Sequence, residues 1–349
     1  MENSVTAFLP LPVAEPLLAW YKQNARELPW RENTDAYRVW VSEIMLQQTR
    51  VEAVKPYFLR FMKALPDMWA LADVPEETLF KLWEGLGYYS RARNLQRAAK
   101  LIVERHGGVL PADMRELREL PGIGPYTAGA IASIAYGAAE PAVDGNVLRV
   151  LARLSGSEMD IARPAARIAA EKAVRDMMPA GNPGAFNQAL MELGACVCLP
   201  NAVPRCAQCP LAALCRAHRE GRETELPVRR KKASRRVEEH TVFVLRNNTS
   251  VAVQKRQDSG LLAGLWELPN LPGHMEQDGL ARQLSKWGIT PGGTIERYTR
   301  KHIFTHVEWH MRVYALDVQA DWLPEGWEWT EVNSGAHALP TAFRVCLRH

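Results

Sequence analysis

The sequence predicts two unlike domains: a helical first part that ends in a metal-binding cysteine loop, and a small α+β second part. Three observations predict it. Up to about residue 225 the chain reads as short helices rich in Ala, Leu, Arg and Glu between Pro and Gly stops, with apolar residues at helical spacing in Ala92, Leu95, Ala99 and Ile102 and in Leu148, Leu151 and Leu154. Five of the six cysteines fall between Cys196 and Cys215 and only Cys346 lies outside, which is the clustering of a metal site in a reducing compartment rather than a disulfide framework. After the basic run Arg229 to Arg236 the apolar period becomes two. Thr241-Val-Phe-Val-Leu245 and Ser250-Val-Ala-Val-Gln254 flank Asn247-Asn248 as a hairpin, His310 to Val318 supplies a further strand, and Asp278 to Trp287 a helix between them. The expected division is 1–225 for the helical domain, 226–236 for a charged linker without core-forming residues, and 237–349 for the α+β domain. A length of 349 residues agrees with this at about 150 residues per domain.

With 47% hydrophobic and 23% charged residues, wholesale disorder is excluded. The net charge of +4 is unevenly placed: Arg205 to Arg236 holds ten Lys/Arg against three Asp/Glu, so the remaining residues sum to −3. Such concentration points to a polyanionic partner. The most apolar stretch, Ala128 to Val143, is interrupted by Ser133, Gly137 and Glu140 and reads as a buried helix, not a membrane span. Met1 to Leu18 has no Lys or Arg and so lacks the basic start of a secretory signal. A cytoplasmic protein is expected.

The segment Leu120-Pro-Gly-Ile-Gly-Pro-Tyr-Thr-Ala-Gly-Ala130 predicts a helix, a tight turn through Gly122 and Gly124, and a second helix. Such a turn aims backbone N–H groups at an anion such as a DNA phosphate, or simply joins two packed helices. Asp144, in Pro141-Ala-Val-Asp-Gly-Asn-Val147, precedes the helix of Leu148 and Leu151; it is placed to cap that helix, with Asn146 as the alternative cap. Glu43, in Trp40-Val-Ser-Glu-Ile-Met-Leu-Gln-Gln48, has Val39 and Trp40 one turn before it and Leu46 and Gln47 one turn after. Desolvation there would raise its pKa and suit it to general-acid work, whereas an outward rotation would leave a plain surface carboxylate. In Glu84-Gly-Leu-Gly-Tyr-Tyr-Ser-Arg-Ala92 the aromatic pair beside Arg91 and Arg93 either wedges into a base stack or packs in the core.

Cys198, Cys206, Cys209 and Cys215 are separated by seven, two and five residues. That spacing lets four thiolates meet one metal centre, iron–sulfur or zinc, although a zinc ribbon would want two C-x-x-C knuckles. Cys196 could stand in for Cys198.

Taken together, Trp40 to Thr49, Leu120 to Thr127, Val143-Asp-Gly-Asn146, Asn187-Gln188 before Leu193-Gly194, the cysteine cluster, Gly260-Leu-Leu-Ala-Gly-Leu-Trp-Glu-Leu-Pro269 and Phe304-Thr-His306 resemble the helix-hairpin-helix DNA glycosylases, and among them the MutY-type adenine DNA glycosylases. The resemblance covers nearly the whole chain. It implies a helix-hairpin-helix glycosylase domain with a 4Fe-4S cluster loop, followed by a Nudix-like domain, removing adenine opposite 8-oxoguanine or guanine in duplex DNA. The protein would be a monomeric, nucleoid-associated bacterial enzyme with no membrane partner. The resemblance makes Glu43 the acid for adenine N7 and Asp144 the carboxylate facing the anomeric carbon, a pair expected to have oppositely tuned pKa values. It also places Tyr126, Asn146, Arg31 and Gln188 around the adenine or in support of Asp144, Gln48 and Tyr88 at the opposing base, and Phe304, Thr305 and His306 on the 8-oxoguanine. Gly122 and Gly124 would hold DNA phosphate, Cys198, Cys206, Cys209 and Cys215 the cluster, and Arg205, Arg216 and Arg219 would face the DNA backbone.

Two departures stand out. The first cysteine gap is one residue longer than is usual in the family, and Thr305 replaces a serine but keeps its hydroxyl. Three other readings fare worse. A glycosylase–lyase of the endonuclease III type needs an amine nucleophile where Tyr126 stands. A non-catalytic DNA-binding module leaves the joint match of Glu43 and Asp144 unexplained. A Nudix hydrolase needs several carboxylates in the helix Asp278 to Trp287, which has one.

Overall fold

The computed structural model describes residues 8–229, 234–319, 322–331 and 337–347. Part of the N-terminal stretch read for a signal and residues 230–233 of the expected linker lie outside these. The described chain forms two compact units: residues 1–73 with 93–231, and residues 74–92 with 232–349.

The first unit is helical, with α1 (Ala14–Asn24), α2 (Ala36–Leu46), α3 (Val51–Ala64) and α4 (Met68–Asp73). The segment assigned to the second unit holds α5 (Glu76–Trp83) and opens α6 (Ser90–His106). There follow α7 (Met114–Glu119), α8 (Pro125–Tyr136), α9 (Gly145–Ser155), α10 (Pro164–Met177), α11 (Pro183–Cys196) and the short α12 (Arg216–Arg219). Helix starts are set locally. Asp35 caps α2 through Arg38 N, Asp113 caps α7, and Pro opens α8, α10 and α11, where its missing N–H costs nothing. Ala92, Leu95, Ala99, Ile102, Leu148, Leu151 and Leu154 are all buried, as their spacing predicts. The apolar stretch is buried from Ala128 to Ser133, but its helix ends at Tyr136 on the left-handed cap Gly137, and the chain has no regular structure from there to Asp144. Helix α2 stops at Leu46, so Gln47, which the spacing placed on its face, is already its C-cap.

In the second unit a sheet runs β3-β2-β1-β6-β5, with β4 added to β1 and β7 to β2. Its strands are β1 (Arg236–Asn247), β2 (Ser250–Lys255), β3 (Trp266–Glu267), β4 (Asn270–Pro272), β5 (Glu296–Ile303), β6 (Val307–Asp317) and β7 (Trp327–Glu331). The β1–β2 hairpin forms with Asn247 opposite Ser250, while β1 and β6 pair in parallel. Alternation sorts the side chains. Val242, Val244, Val313 and Ala315 pack on one face with Phe343 of α14 (Thr341–Arg344), whereas Phe243, Leu245, Tyr314 and Leu316 pack on the other with Leu280 and Leu284 of α13 (Gln277–Lys286). One expectation is corrected here. The stretch after residue 225 is not free of core residues: Leu226 is buried, its carbonyl accepts from Arg153 Nε at 2.9 Å, and Val228 O accepts from Ile161 N. Apolar burial outweighed the charged composition around it. No helix among the described residues is long and apolar enough to cross a membrane.

Candidate active site

In the first unit a cavity of about 540 Å³ is lined by groups from α2, α8, α11, the start of α9 and the turn Pro29–Arg31. Glu43, Tyr126, Asp144, Asn146, Arg31, Gln188 and Gln48 all line it. Residues as far apart in sequence as Arg31 and Gln188 are brought together because α2, α8, α9 and α11 pack on one another.

Glu43 is turned inward, only 7% exposed. Tyr126 donates its hydroxyl to Glu43 Oε2 at 2.5 Å, and the other oxygen, Oε1, has no partner among the described residues. Burial lifts the carboxyl from its ordinary 4.5 to about 7; the Tyr126 hydrogen bond opposes the rise, Asp144 adds to it and Arg31 reduces it. Burial dominates because the neighbours are apolar, as Val39 and Leu46 on the same cavity wall illustrate.

Asp144 is the N-cap of α9, and it lines the cavity as well. Its Oδ1 accepts from Val147 N at 2.8 Å and its Oδ2 from Asn146 Nδ2 at 2.6 Å, so Asn146 supports the cap instead of replacing it. Asn146 is held in turn by Arg149, whose Nη2 donates to Asn146 Oδ1 at 2.9 Å and whose Nε donates to Cys198 O at 2.8 Å. The expectation of opposite tuning is corrected: burial raises Asp144 too, against hydrogen bonds that favour its charged form. What separates the two carboxyls is hydrogen bonding, with both oxygens of Asp144 engaged and one of Glu43 without a partner. Gly194 explains its own motif. A Cβ there would lie 2.6 Å from Asn146 Cβ and 3.0 Å from Asn146 O, so only glycine lets α11 approach the Asp144 cap.

At the far wall Arg31 Nη2 donates to Glu192 Oε2 at 2.9 Å, its guanidinium lies 5.6 Å from the Tyr21 ring centroid, and Tyr21 donates to Gln188 Oε1 at 3.3 Å. Gln48 has a left-handed backbone, φ +59°. For a residue other than Gly this costs about 1–3 kcal/mol, and such strain concentrates at functional sites. The hairpin turn forms between α7 and α8. Gly122 needs φ +80°, Gly124 is the extended N-cap of α8, and neither N–H donates to a described residue. Sequence reasoning passed over Glu192 and Arg26. Glu192 was findable, one turn after Gln188 on α11, but nothing local marks Arg26.

Cys198, Cys206, Cys209 and Cys215 line a single small cavity walled by Val150, Leu154, Leu193, Val197 and Leu211. Arg153 Nη1 points a positive charge at Cys198 Sγ from 3.1 Å, as a thiolate ligand would require. Cys196 does not line this cavity, and its Sγ lies 3.6 Å from Glu192 Oε1. The basic loop nearby is partly self-compensated, since Arg216 pairs with Glu220 and Arg222 with Glu158, Glu220 and Glu225.

The remaining candidates belong to the second unit. Tyr88, also left-handed at φ +49°, is 43% exposed, whereas Tyr89 is buried edge-on against Phe80. The core reading of the aromatic pair thus holds for Tyr89, and Tyr88 is left at the surface. Arg91 is buried and donates to Leu86 O and Gly87 O. The Tyr88 hydroxyl is 2.7 Å from the Thr305 hydroxyl. Phe304 packs edge-on against Trp309, and His306 is exposed.

Residues 41–176 match the family described as HhH-GPD superfamily base excision DNA repair protein, and residues 241–349 match the NUDIX domain. The chain is 38% identical to the adenine DNA glycosylase of Mus musculus, over 95% of this chain and 76% of that one. Against the adenine DNA glycosylase of Homo sapiens the identity is 35%, over 95% of this chain and 72% of the relative. A solved thermostable thymine-DNA glycosylase superposes with a TM-score of 0.54 at 26% identity, over 59% of this chain and 95% of that one.

Proposed function

Because the chain belongs to the adenine DNA glycosylase family, whose reaction is the excision of adenine in base excision repair, we propose that it acts on adenine paired with 8-oxoguanine or guanine in duplex DNA, with Glu43 as general acid and Asp144 as electrostatic partner. The observation that carries this reading is the pair of carboxyls in one cavity, Glu43 buried and protonated up to about pH 7 and Asp144 hydrogen-bonded on both oxygens. Neutral adenine is a poor leaving group. A proton passed from Glu43 to N7 lets the bond between C1′ and N9 break with its electron pair leaving on the base, and the sugar becomes oxocarbenium-like opposite Asp144. Water then adds at C1′ and gives its proton to the Glu43 carboxylate, which restores the acid. Tyr126 orients Glu43, Asn146 holds Asp144, and Arg31 and Gln188 offer polar groups to the edge of an adenine taken out of the stack.

Adenine is a normal base, so selectivity must be read on the other strand. We assign Gln48 and Tyr88 to the opposing nucleotide, and Phe304, Thr305 and His306 to its 8-oxo group. The unengaged N–H groups of Gly122 and Gly124 suit a DNA phosphate. Cys198, Cys206, Cys209 and Cys215 fit a 4Fe-4S cluster: four thiols line one apolar-walled cavity beside the Arg153 cation. When bound, such a cluster would cross-link the loop 198–215 through these four thiolates and supply structure, not bond cleavage. We place the enzyme as a monomer in the bacterial cytoplasm, on nucleoid DNA. Incubation with duplexes carrying A opposite 8-oxoguanine, A opposite G, A opposite T and thymine glycol, scored for abasic sites, tests the assignment. Cleavage should fall in that order and vanish for the last two; excision of thymine glycol would overturn it.

A further inference from the structure

Glu192 takes no part in the steps above, yet it lines the same cavity and is 1% exposed. Its Oε1 accepts from Arg26 Nε at 2.6 Å and from Arg26 N at 3.1 Å, and its Oε2 from Arg26 Nη2 at 3.0 Å and Arg31 Nη2 at 2.9 Å. One carboxylate thus clamps two guanidiniums. Arg31 Nη1 also donates to Arg26 O at 3.2 Å, so the three side chains form one unit that joins α11 to the chain after α1. The Arg pair holds the Glu192 carboxyl down at about 2, so it is charged throughout the working range.

We propose that Glu192 is a positioning residue for adenine excision: it fixes Arg31 on the cavity wall and cancels cationic charge that would otherwise act on Glu43 and on a protonated base. The proposal rests on the assignment of Glu43 as the acid. The groups that face Glu43 are Tyr126 from α8, Asp144 from the start of α9 and Arg31 from the turn Pro29–Arg31, and Arg31 is the cation that favours loss of its proton. With two guanidiniums and one carboxylate the wall carries a net +1. Without Glu192 it would carry +2, Arg31 would lose its anchor, and Glu43 would ionise at lower pH, the wrong state for an acid. A purely architectural clamp would hold the fold together but leave the titration of Glu43 where it is.

The test is the single-turnover excision rate on A opposite 8-oxoguanine against pH, with melting temperature and iron content recorded for each variant. Glu192→Gln should lose at least ~10-fold at pH 7.5 and move the alkaline limb down by about half a pH unit. Arg26→Met, which removes one cation, should move the limb the other way. Arg26→Met with Glu192→Gln restores the net charge and should return the limb to its wild-type position while the rate stays low. A limb that stays fixed in all three, with rates following melting temperature, would overturn the proposal; should Glu192→Gln fail to fold, an unmoved limb in Arg26→Met does the same. Glu43→Gln run alongside separates the two levels. If that variant keeps the wild-type rate and limb, it is the acid assignment that fails.

Discussion

Tyr126 and Glu43, 83 residues apart, share a hydrogen bond of 2.5 Å inside the cavity. The bond occupies Oε2 and leaves Oε1 to carry the proton. It also pulls the carboxyl pKa down against a larger rise from burial, and the balance is a group that titrates near neutrality. A tyrosine at this position cannot form a Schiff base with the sugar, and in the proposed reaction it orients the acid instead of attacking.

Glu43→Gln and Asp144→Asn should each slow single-turnover excision by at least ~10²-fold while duplex affinity survives, the usual scale for a general acid or an electrostatic stabiliser. Excision kinetics and binding isotherms on the same duplex check this, and a near wild-type rate in either variant removes that residue from the mechanism.

The pH dependence has a definite sign. Glu43 is acidic-form below about 7, so excision should decline as pH rises through that value. The folded state keeps a proton that the unfolded chain loses near 4.5, so this residue makes the protein less stable as pH rises from 4.5 to 7, by about 3 kcal/mol in all. Denaturant melts at pH 4.5 and pH 8 should therefore show Glu43→Gln gaining stability relative to wild type at the higher pH. Equal differences at both pH values would contradict a buried, raised carboxyl.

Gly194→Ala should act at a distance. The new Cβ must displace Asn146, and with it the donor to Asp144 Oδ2. Excision should drop by roughly tenfold or more, with a stability cost of about 1–3 kcal/mol for the overpacked contact. A variant with normal kinetics would show that Asn146 is not needed to hold the cap.

For the cysteines, Cys198→Ser should lower iron content and the yellow-brown absorbance, while Cys196→Ser should leave both unchanged. Wild type should carry about four iron atoms per chain. Stoichiometric zinc in an anaerobic preparation would overturn the cluster assignment.

Lesion reading is best tested by point variants, because residues 74–92 belong to the same compact unit as 232–349 and a simple C-terminal truncation would strip them of partners. A single neutral hydrogen bond is worth about 0.5–1.5 kcal/mol, so Thr305→Ala alone should shift the preference for 8-oxoguanine over guanine by less than about tenfold, and Thr305→Ala with His306→Ala by more. An unchanged ratio in the double variant would reassign the segment to packing, where Phe304 already sits against Trp309.

What the sequence by itself determined is what depends on near neighbours. Gly122 with φ +80° before a Pro-opened helix, Asp144 capping α9, the Asn247–Ser250 hairpin, the two-faced alternation of β6 and the helical stripe of Ala92, Leu95, Ala99 and Ile102 are each fixed by residues within a few positions. Only the tertiary structure decided the rest. Glu43 could have faced water; it is buried with a raised pKa because the packing of the helices brings Tyr126 and Asp144 to it. Cys196 and Cys198 were equivalent by spacing, and the end of α11 separates them, turning one towards Glu192 and the other towards Arg153. Leu226, lost among charges in the sequence, found a core, and Glu192 found two arginines from the far end of the chain. Desolvation and ion pairing depend on which surfaces meet, and a one-dimensional pattern carries the period of a helix but not the identity of what packs against it.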